Sequence, residues 1–324
     1  MKAKIVPIIP LLTFLLVFLN SCEDATYKVY TGNAPIYMSY EDLRSAVSLK
    51  QDVPLENPGK IYFKDNFIFI IEEMKGIHVY DNANPSAPLK KTLINLPGVI
   101  DMSVSGSTLY ADSFVDLVVL DVSDINNIKE TGRVKSVMPY AVPPVEDNEY
   151  PIGYVDQKKG VVTGWKLREI KEKIHVNNGP ILYYKESLAL ADGASFNAQS
   201  SGVSGSGVGT GGSMARFGIK GNVLYVVNSS SLKVFDITNR TNPVKHTELY
   251  PGWNVETMFL TDKSMFLGST TGMIVYDISI PLVPQSRIVF NHARSCDPVI
   301  VDDTLAYITL RSGTTCGGTI NTLS

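Results

Sequence analysis

A chain of 324 residues with 44% hydrophobic content can bury one large core or two small ones, and its 25 Gly, 18 Pro and 16 Tyr point to short strands and turns. A formal charge of −3 excludes a general electrostatic affinity for nucleic acid. Composition thus indicates an all-β protein without a nucleic-acid partner.

The N-terminus reads MKAKIVPIIPLLTFLLVFLNSCEDA: two lysines, an apolar run to Leu19, then Asn20, Ser21 and Cys22. The run is too short and wrongly flanked for a stable membrane span, and residues 1–21 fit a secretory signal peptide. Leu19-Asn20-Ser21-Cys22 resembles a bacterial lipobox, in which the cysteine is diacylated and becomes the mature N-terminus. The resemblance implies an outer-membrane lipoprotein facing the periplasm or the cell surface, with the membrane as a partner through its lipid anchor and no spanning segment. Glu23 and Asp24 resemble the acidic export signal of surface lipoproteins in some Gram-negative bacteria. Loss of 1–21 removes Lys2 and Lys4 and moves the formal charge from −3 to −5. With Cys22 lipidated, Cys296 and Cys316 remain as an even pair in an oxidising compartment, which suggests a disulfide. Residues 22–56 are expected to form a tether and a lead-in strand.

Beyond residue 56 the chain repeats itself. The segments GIHVYDNANPSAP from Gly76, DLVVLDVSDINNI from Asp116, SLKVFDITNRTNP from Ser231 and GMIVYDISIPLVP from Gly272 align on Asp81, Asp121, Asp236 and Asp277. Asp81 and Asp121 are 40 residues apart, Asp236 and Asp277 are 41 apart, and an insertion separates the two pairs. Upstream of each aspartate lie two more apolar runs separated by short polar turns, and an Asn/Pro turn follows it. Each unit therefore predicts a meander of three antiparallel strands with a fourth strand after the turn. The units span about 57–96, 97–135, 214–252 and 253–293, with a partial one at 294–324 and an insertion at 136–213. Because such a sheet has two apolar faces, radial stacking is favoured over a β-sandwich.

The aspartate-ended third strands resemble the LVIVD repeat of bacterial and archaeal surface β-propellers. PIYMSYEDLR, NPGKIYF, GGSMARF and SCDPVIV resemble further pieces of one lipoprotein group in that family. The resemblance covers about Ala34 to Cys316 and implies a β-propeller of four-stranded antiparallel blades. The fifth unit stops before its third strand, so the propeller is expected to be C-terminally incomplete. Closure would then come from further residues or from PIYMSYEDL pairing with the last blade. Within the insertion, VMPYAVPPVEDNEYP reads as loop and GVVTGWKLREIKEKIHV as a long strand, expected to extend the outer edge of the second blade. The glycine-rich GASFNAQSSGVSGSGVGTGGS reads as a flexible loop.

Several motifs offer chemistry only formally. Gly207-x-Gly209-x-x-Gly212 matches a dinucleotide fingerprint but precedes a strand, where the motif needs a helix. His78, His175, His246 and His292 lack metal-ligand spacing, and no nucleophile motif is present. Glu146, Asp147 and Glu149 are the acidic cluster nearest to a calcium loop, and a solvated loop accounts for them. No metal, cofactor or catalytic residue is expected. Four equivalent aspartates, one per unit, suit an Asx turn rather than an active site.

Counting back 20 or 21 residues from each aspartate reaches the start of the innermost strand, at Lys60, Asp101, Arg216 and Glu256, with Asp297 in the same place in the fifth unit. In a propeller these strand starts surround the central channel. They read either as charges tolerated by water at a channel mouth or as a mixed-charge binding ring for a protein or glycan ligand. Cys296, Cys316 and the glycine-rich loop should emerge at the same end. The function expected is that of a non-catalytic binding or interaction module at the cell envelope, with a hydrolase or lyase at the channel mouth as the alternative.

Overall fold

A computed structural model describes residues 26–174, 183, 215–228, 230–252, 255–269, 272–291, 299–302 and 305–308. Cys22, Cys296, Cys316, Asp297 and the whole glycine-rich loop, Gly207 to Gly212 included, lie outside these residues. The chain divides into two compact units, one of residues up to Ile36 with Val145–Val155 and Trp165–Pro180, the other of Tyr37–Pro144, Asp156–Gly164 and Ile181–Ser324.

The chain enters through β1 (Tyr27–Met38), helix α1 (Tyr40–Ser45) and β2 (Ser48–Lys50). Four four-stranded meanders follow. The first comprises β3 (Pro58–Lys64), β4 (Phe67–Glu72), β5 (Gly76–Asp81) and β6 (Leu89–Asn95). The second comprises β7 (Met102–Ser105), β8 (Thr108–Ser113), β9 (Asp116–Asp121) and β10 (Lys129–Val134). After β11 (Val161–Lys173) the third comprises β12 (Phe217–Lys220), β13 (Val223–Val227), β14 (Leu232–Asp236) and β15 (Val244–Leu249). The fourth comprises β16 (Val255–Leu260), β17 (Ser264–Ser269), β18 (Gly272–Asp277) and β19 (Gln285–Asn291), and β20 (Val299–Asp302) pairs with β21 (Leu305–Ile308) as the start of a fifth. Each meander is an antiparallel sheet in chain order, and β2 adds a fifth strand outside β6. The fold is all-β, a β-propeller of four-stranded blades with a repeat of about 40 residues.

The blades stack because both faces of each sheet are apolar. Tyr62, Phe69, Ile71, Ile77 and Val79 of the first blade meet Met102, Val104, Leu109 and Ala111 of the second. Tyr110, Leu117 and Val119 of the second meet Phe217, Ile219, Leu224 and Val226 of the third. Tyr225, Leu232 and Val234 of the third meet Met258, Met265 and Leu267 of the fourth. A buried Leu, Ile or Val contributes roughly 1.5–3 kcal/mol, so these interfaces carry the fold. The innermost strands are neighbours in series, with β12 against β7 and β16, and β16 against β20.

Residues 161–173 form the long strand their alternation indicates, but its place differs from expectation. β11 pairs with β1, not with the outer edge of the second blade. Length accounts for the choice: β11 has 13 residues and β1 has 12, whereas β10 has six and is bulged between Glu130 and Gly132. The same pairing takes Pro35–Met38 into β1, and Tyr40–Ser45 is helical, so PIYMSYEDL does not supply a strand to the last described blade. In the smaller unit Asn33 fixes the proline-rich loop, donating from Nδ2 to Asp147 O and Tyr150 O at 2.9 Å each. Asp147 Oδ1 accepts from Glu149 N–H at 3.0 Å, a local turn, and no metal-ligating cluster occurs among the described residues.

Helix α1 is short and strongly fixed. Ser39 caps it by accepting the Asp42 N–H at 3.0 Å, and Leu43 is buried against Phe114, Val115 and Val161. Arg44 in its last turn donates to Asp116, which is fully buried and also accepts from Arg133 Nη1 at 3.2 Å and Ser136 N–H at 2.8 Å. Burial alone would raise the Asp116 pKa. The bonds from Arg44, Ser136 and Arg133 more than offset it and hold the carboxyl below its ordinary value.

Candidate functional site

The repeat aspartates and the inner-strand charges lie at opposite ends of each blade, and the structure gives them different chemistry. At the outer turn Asp81, Asp121, Asp236 and Asp277 each accept, through Oδ1, the N–H two residues ahead: Ala83 at 3.0 Å, Ser123 at 2.9 Å, Thr238 at 2.8 Å and Ser279 at 2.8 Å. A second turn of the same kind follows at Asn84, Asp124 and Asn239. The bonds from Ser123 lower the Asp121 pKa, those from Thr238 lower that of Asp236, and those from Ser279, aided by Arg287, bring Asp277 to about 2.

These turns also receive the preceding blade. Tyr110 of the second blade donates its hydroxyl to Arg240 O at 3.0 Å, and Tyr225 of the third donates to Pro281 O at 2.7 Å. Both acceptors lie four residues beyond a repeat aspartate. Phe69 and Phe266 hold the same ladder position in the first and fourth blades and carry no hydroxyl.

At the inner ends Lys60, Asp101 and Arg216 come together. Asp101 is 1% exposed; Oδ2 accepts Lys60 Nζ at 2.7 Å and the Arg216 backbone N–H, and Oδ1 accepts the Tyr62 hydroxyl and the Met102 N–H. One carboxylate thus joins three blades. Burial pushes the Lys60 pKa down, and the Asp101 charge opposes this. Behind it Asp112 Oδ1 accepts the N–H groups of Ile100 at 2.8 Å and Asp101 at 2.9 Å. Burial raises Asp112 to about 6 despite these bonds.

One of the expected ring positions differs. β16 is irregular between Val255 and Thr257, so Thr257 rather than Glu256 occupies the ladder position of Asp101 and Arg216, and counting residues overshoots by one. Thr257 is fully buried, and Met258 N–H donates to Ala215 O at 2.9 Å, continuing the blade-to-blade bonding. Asp297 lies outside the described residues. Asp101, with its oxygens already occupied by four donors and almost no exposed surface, is a joint between blades rather than a ligand contact. Substituting it would therefore disturb the fold itself.

An open concavity lies elsewhere, on the outer side of the junction between the third and fourth blades. A cleft of about 460 Å³ is lined by His246, Thr247, Leu249 and Tyr250 on one side and by Tyr276 and residues 282–286 on the other. Tyr250 is 75% exposed. The neighbouring junction shows why the cleft exists. There Gly132 seats β10 directly on the third blade's turn, and a Cβ at that position would stand 1.9 Å from Thr241 O. Thr247 holds the ladder position of Gly132, so the strand carries a side chain where the other junction tolerates none. Sequence reasoning passed over this site because it contains no catalytic motif. The lack of a Gly132 counterpart was the signal, one that Thr92 in the first repeat shares.

Against known proteins, the LVIVD repeat matches residues 99–136 and 211–247. No curated protein sequence matches the chain. Among solved structures, the computationally designed Ika8 protein is similar at 11% identity and a TM-score of 0.41, covering 78% of this chain and 55% of that one. The N-terminal domain of Nup159 is similar at 9% identity and a TM-score of 0.39, covering 93% and 63%. A Lactobacillus plantarum protein is similar at 11% identity and a TM-score of 0.34, covering 84% of each chain. The chain thus spans less than two thirds of the first two. The two LVIVD-repeat matches fall on the second and third blades of this β-propeller.

Proposed function

We propose that the protein is a lipid-anchored, extracytoplasmic binding module that uses the outer cleft between its third and fourth blades. The cleft carries the reading. It combines exposed aromatic surface, apolar walls and a few hydroxyl, amide and imidazole groups, the composition of a recognition site. Lys60 and Asp101 are engaged with each other between blades, which favours the rim over that part of the channel mouth as the place to look for a ligand. Anchoring rests on Leu19-Asn20-Ser21-Cys22 and the apolar run before it. A Cys296–Cys316 bond fits the same oxidising compartment.

Two measurements test the reading. Metabolic labelling with an alkyne fatty acid should tag the wild type and leave Cys22→Ser unlabelled and in the soluble fraction. Incubation with envelope peptides and glycans, followed by mass spectrometry, should recover bound species chemically unchanged. An unlabelled, soluble wild type removes the anchor, and a converted product means the site is catalytic.

A further inference from the structure

The first blade already shows how its outer edge takes an added strand. β2 lies along β6, with Leu49 opposite Ile94 and packed on the core between the first and second blades. Two β6 side chains hold the backbone of the added segment: Thr92 Oγ1 donates to Lys50 O at 3.2 Å, and Lys90 Nζ donates to Val53 O.

The third blade repeats this edge. By ladder position, LKKTLIN at 89–95 corresponds to VKHTELY at 244–250, both bulged at the third residue. Lys90 corresponds to Lys245, Thr92 to Thr247 and Ile94 to Leu249. The other outer strands lack both anchors, since β10 has Glu130 and Gly132 there and β19 has Ser286 and Ile288. β15 ends its sheet, with no partner strand on its outer edge among the described residues. Its cleft lies beside that edge, where Leu249 and Tyr276 are wall residues.

We infer that β15 is a strand-addition site for an extended polypeptide segment with a polar–apolar–polar pattern. This rests on the binding-module reading and names its partner class. The segment pairs its backbone with the free edge of β15 and sets its apolar side chain opposite Leu249, in the cleft. Its carbonyl groups accept from the Thr247 hydroxyl and the Lys245 ammonium, as those of Lys50 and Val53 do at the first blade. Lys245 is shared with Glu248 at 3.0 Å and is 44% exposed, so this surface pair gives way at little cost.

The chain supplies its own probe, the octapeptide AVSLKQDV of residues 46–53. Fluorescence anisotropy with the labelled peptide and the full chain should show saturable binding, and amide exchange should show new protection across 244–250. Thr247→Val should weaken binding about fivefold, the effect of one hydrogen bond, and Lys245→Gln should act in the same direction. A peptide with Asp in place of Leu49 should not bind. Absence of saturable binding overturns the inference. So does an affinity unchanged in both variants, because the peptide has then displaced β2 from β6. Protection of 244–250 before peptide is added would mean that another segment of the chain holds the edge, and self-association abolished by Thr247→Val would make the occupant a second copy. A glycan retained where the peptide is not overturns the inference and leaves the binding module standing.

Discussion

The two ends of the second blade carry equally conspicuous acidic residues, Asp101 and Asp121, and their surroundings give them opposite roles. At the outer turns Asp81, Asp121, Asp236 and Asp277 are repeated, half-buried and bound to their own backbone. At the inner ends Asp101 is unrepeated, buried and bound to three blades. Repetition marks a local device that every unit needs, whereas a residue that changes from unit to unit marks a contact specific to one junction.

Removing the inner contact should have the largest effect. Asp101→Asn leaves the Lys60 cation buried without a counter-charge, which costs roughly 3–5 kcal/mol in denaturant unfolding. An effect no larger than that of an exposed carboxylate would break the contrast.

Next comes an effect of opposite sign. Asp112 has a folded pKa of about 6 against an ordinary 3.8, so its contribution to stability is complete below the unfolded value and is lost as pH rises through about 6. Asp112→Asn keeps an oxygen for the Ile100 and Asp101 N–H groups. It should flatten the pH dependence between about 4 and 6 and be more stable than wild type at pH 7, as thermal melts across that range would show.

The outer turns answer more weakly. Tyr110→Phe deletes the bond to Arg240 O and should cost about 1 kcal/mol in chemical denaturation, while the wild-type Phe69 blade shows that the position packs without a hydroxyl. Asp236→Ala should lower Tm by less than Tyr110→Phe does, because water replaces an exposed acceptor at the turn.

The blades were legible in the sequence because their information is local: alternation, turn residues and aspartates 40 or 41 positions apart on either side of the insertion. Strand order within each blade follows from chain order alone. The partner of β11 was not legible, since it is a choice between distant edges and depends on matching lengths. Glu256 was misplaced by a single irregular residue in β16, which residue counting does not register. The convergence of Lys60 with Asp101 was foreseeable as proximity but not as burial, because burial depends on how closely the first and second blades pack. The cleft escaped notice for a similar reason, being created by what Thr247 prevents rather than by a motif.

The central claim is that Lys60 and Asp101 act as one joint between blades, and a double-mutant cycle tests it most directly. Lys60→Met, Asp101→Asn and the double variant should be unfolded in denaturant alongside the wild type. The account predicts strong coupling, with the double variant recovering at least about 1.5 kcal/mol of the summed single losses. Additivity within about 0.5 kcal/mol would contradict it and return these residues to the channel mouth as independent, solvated charges.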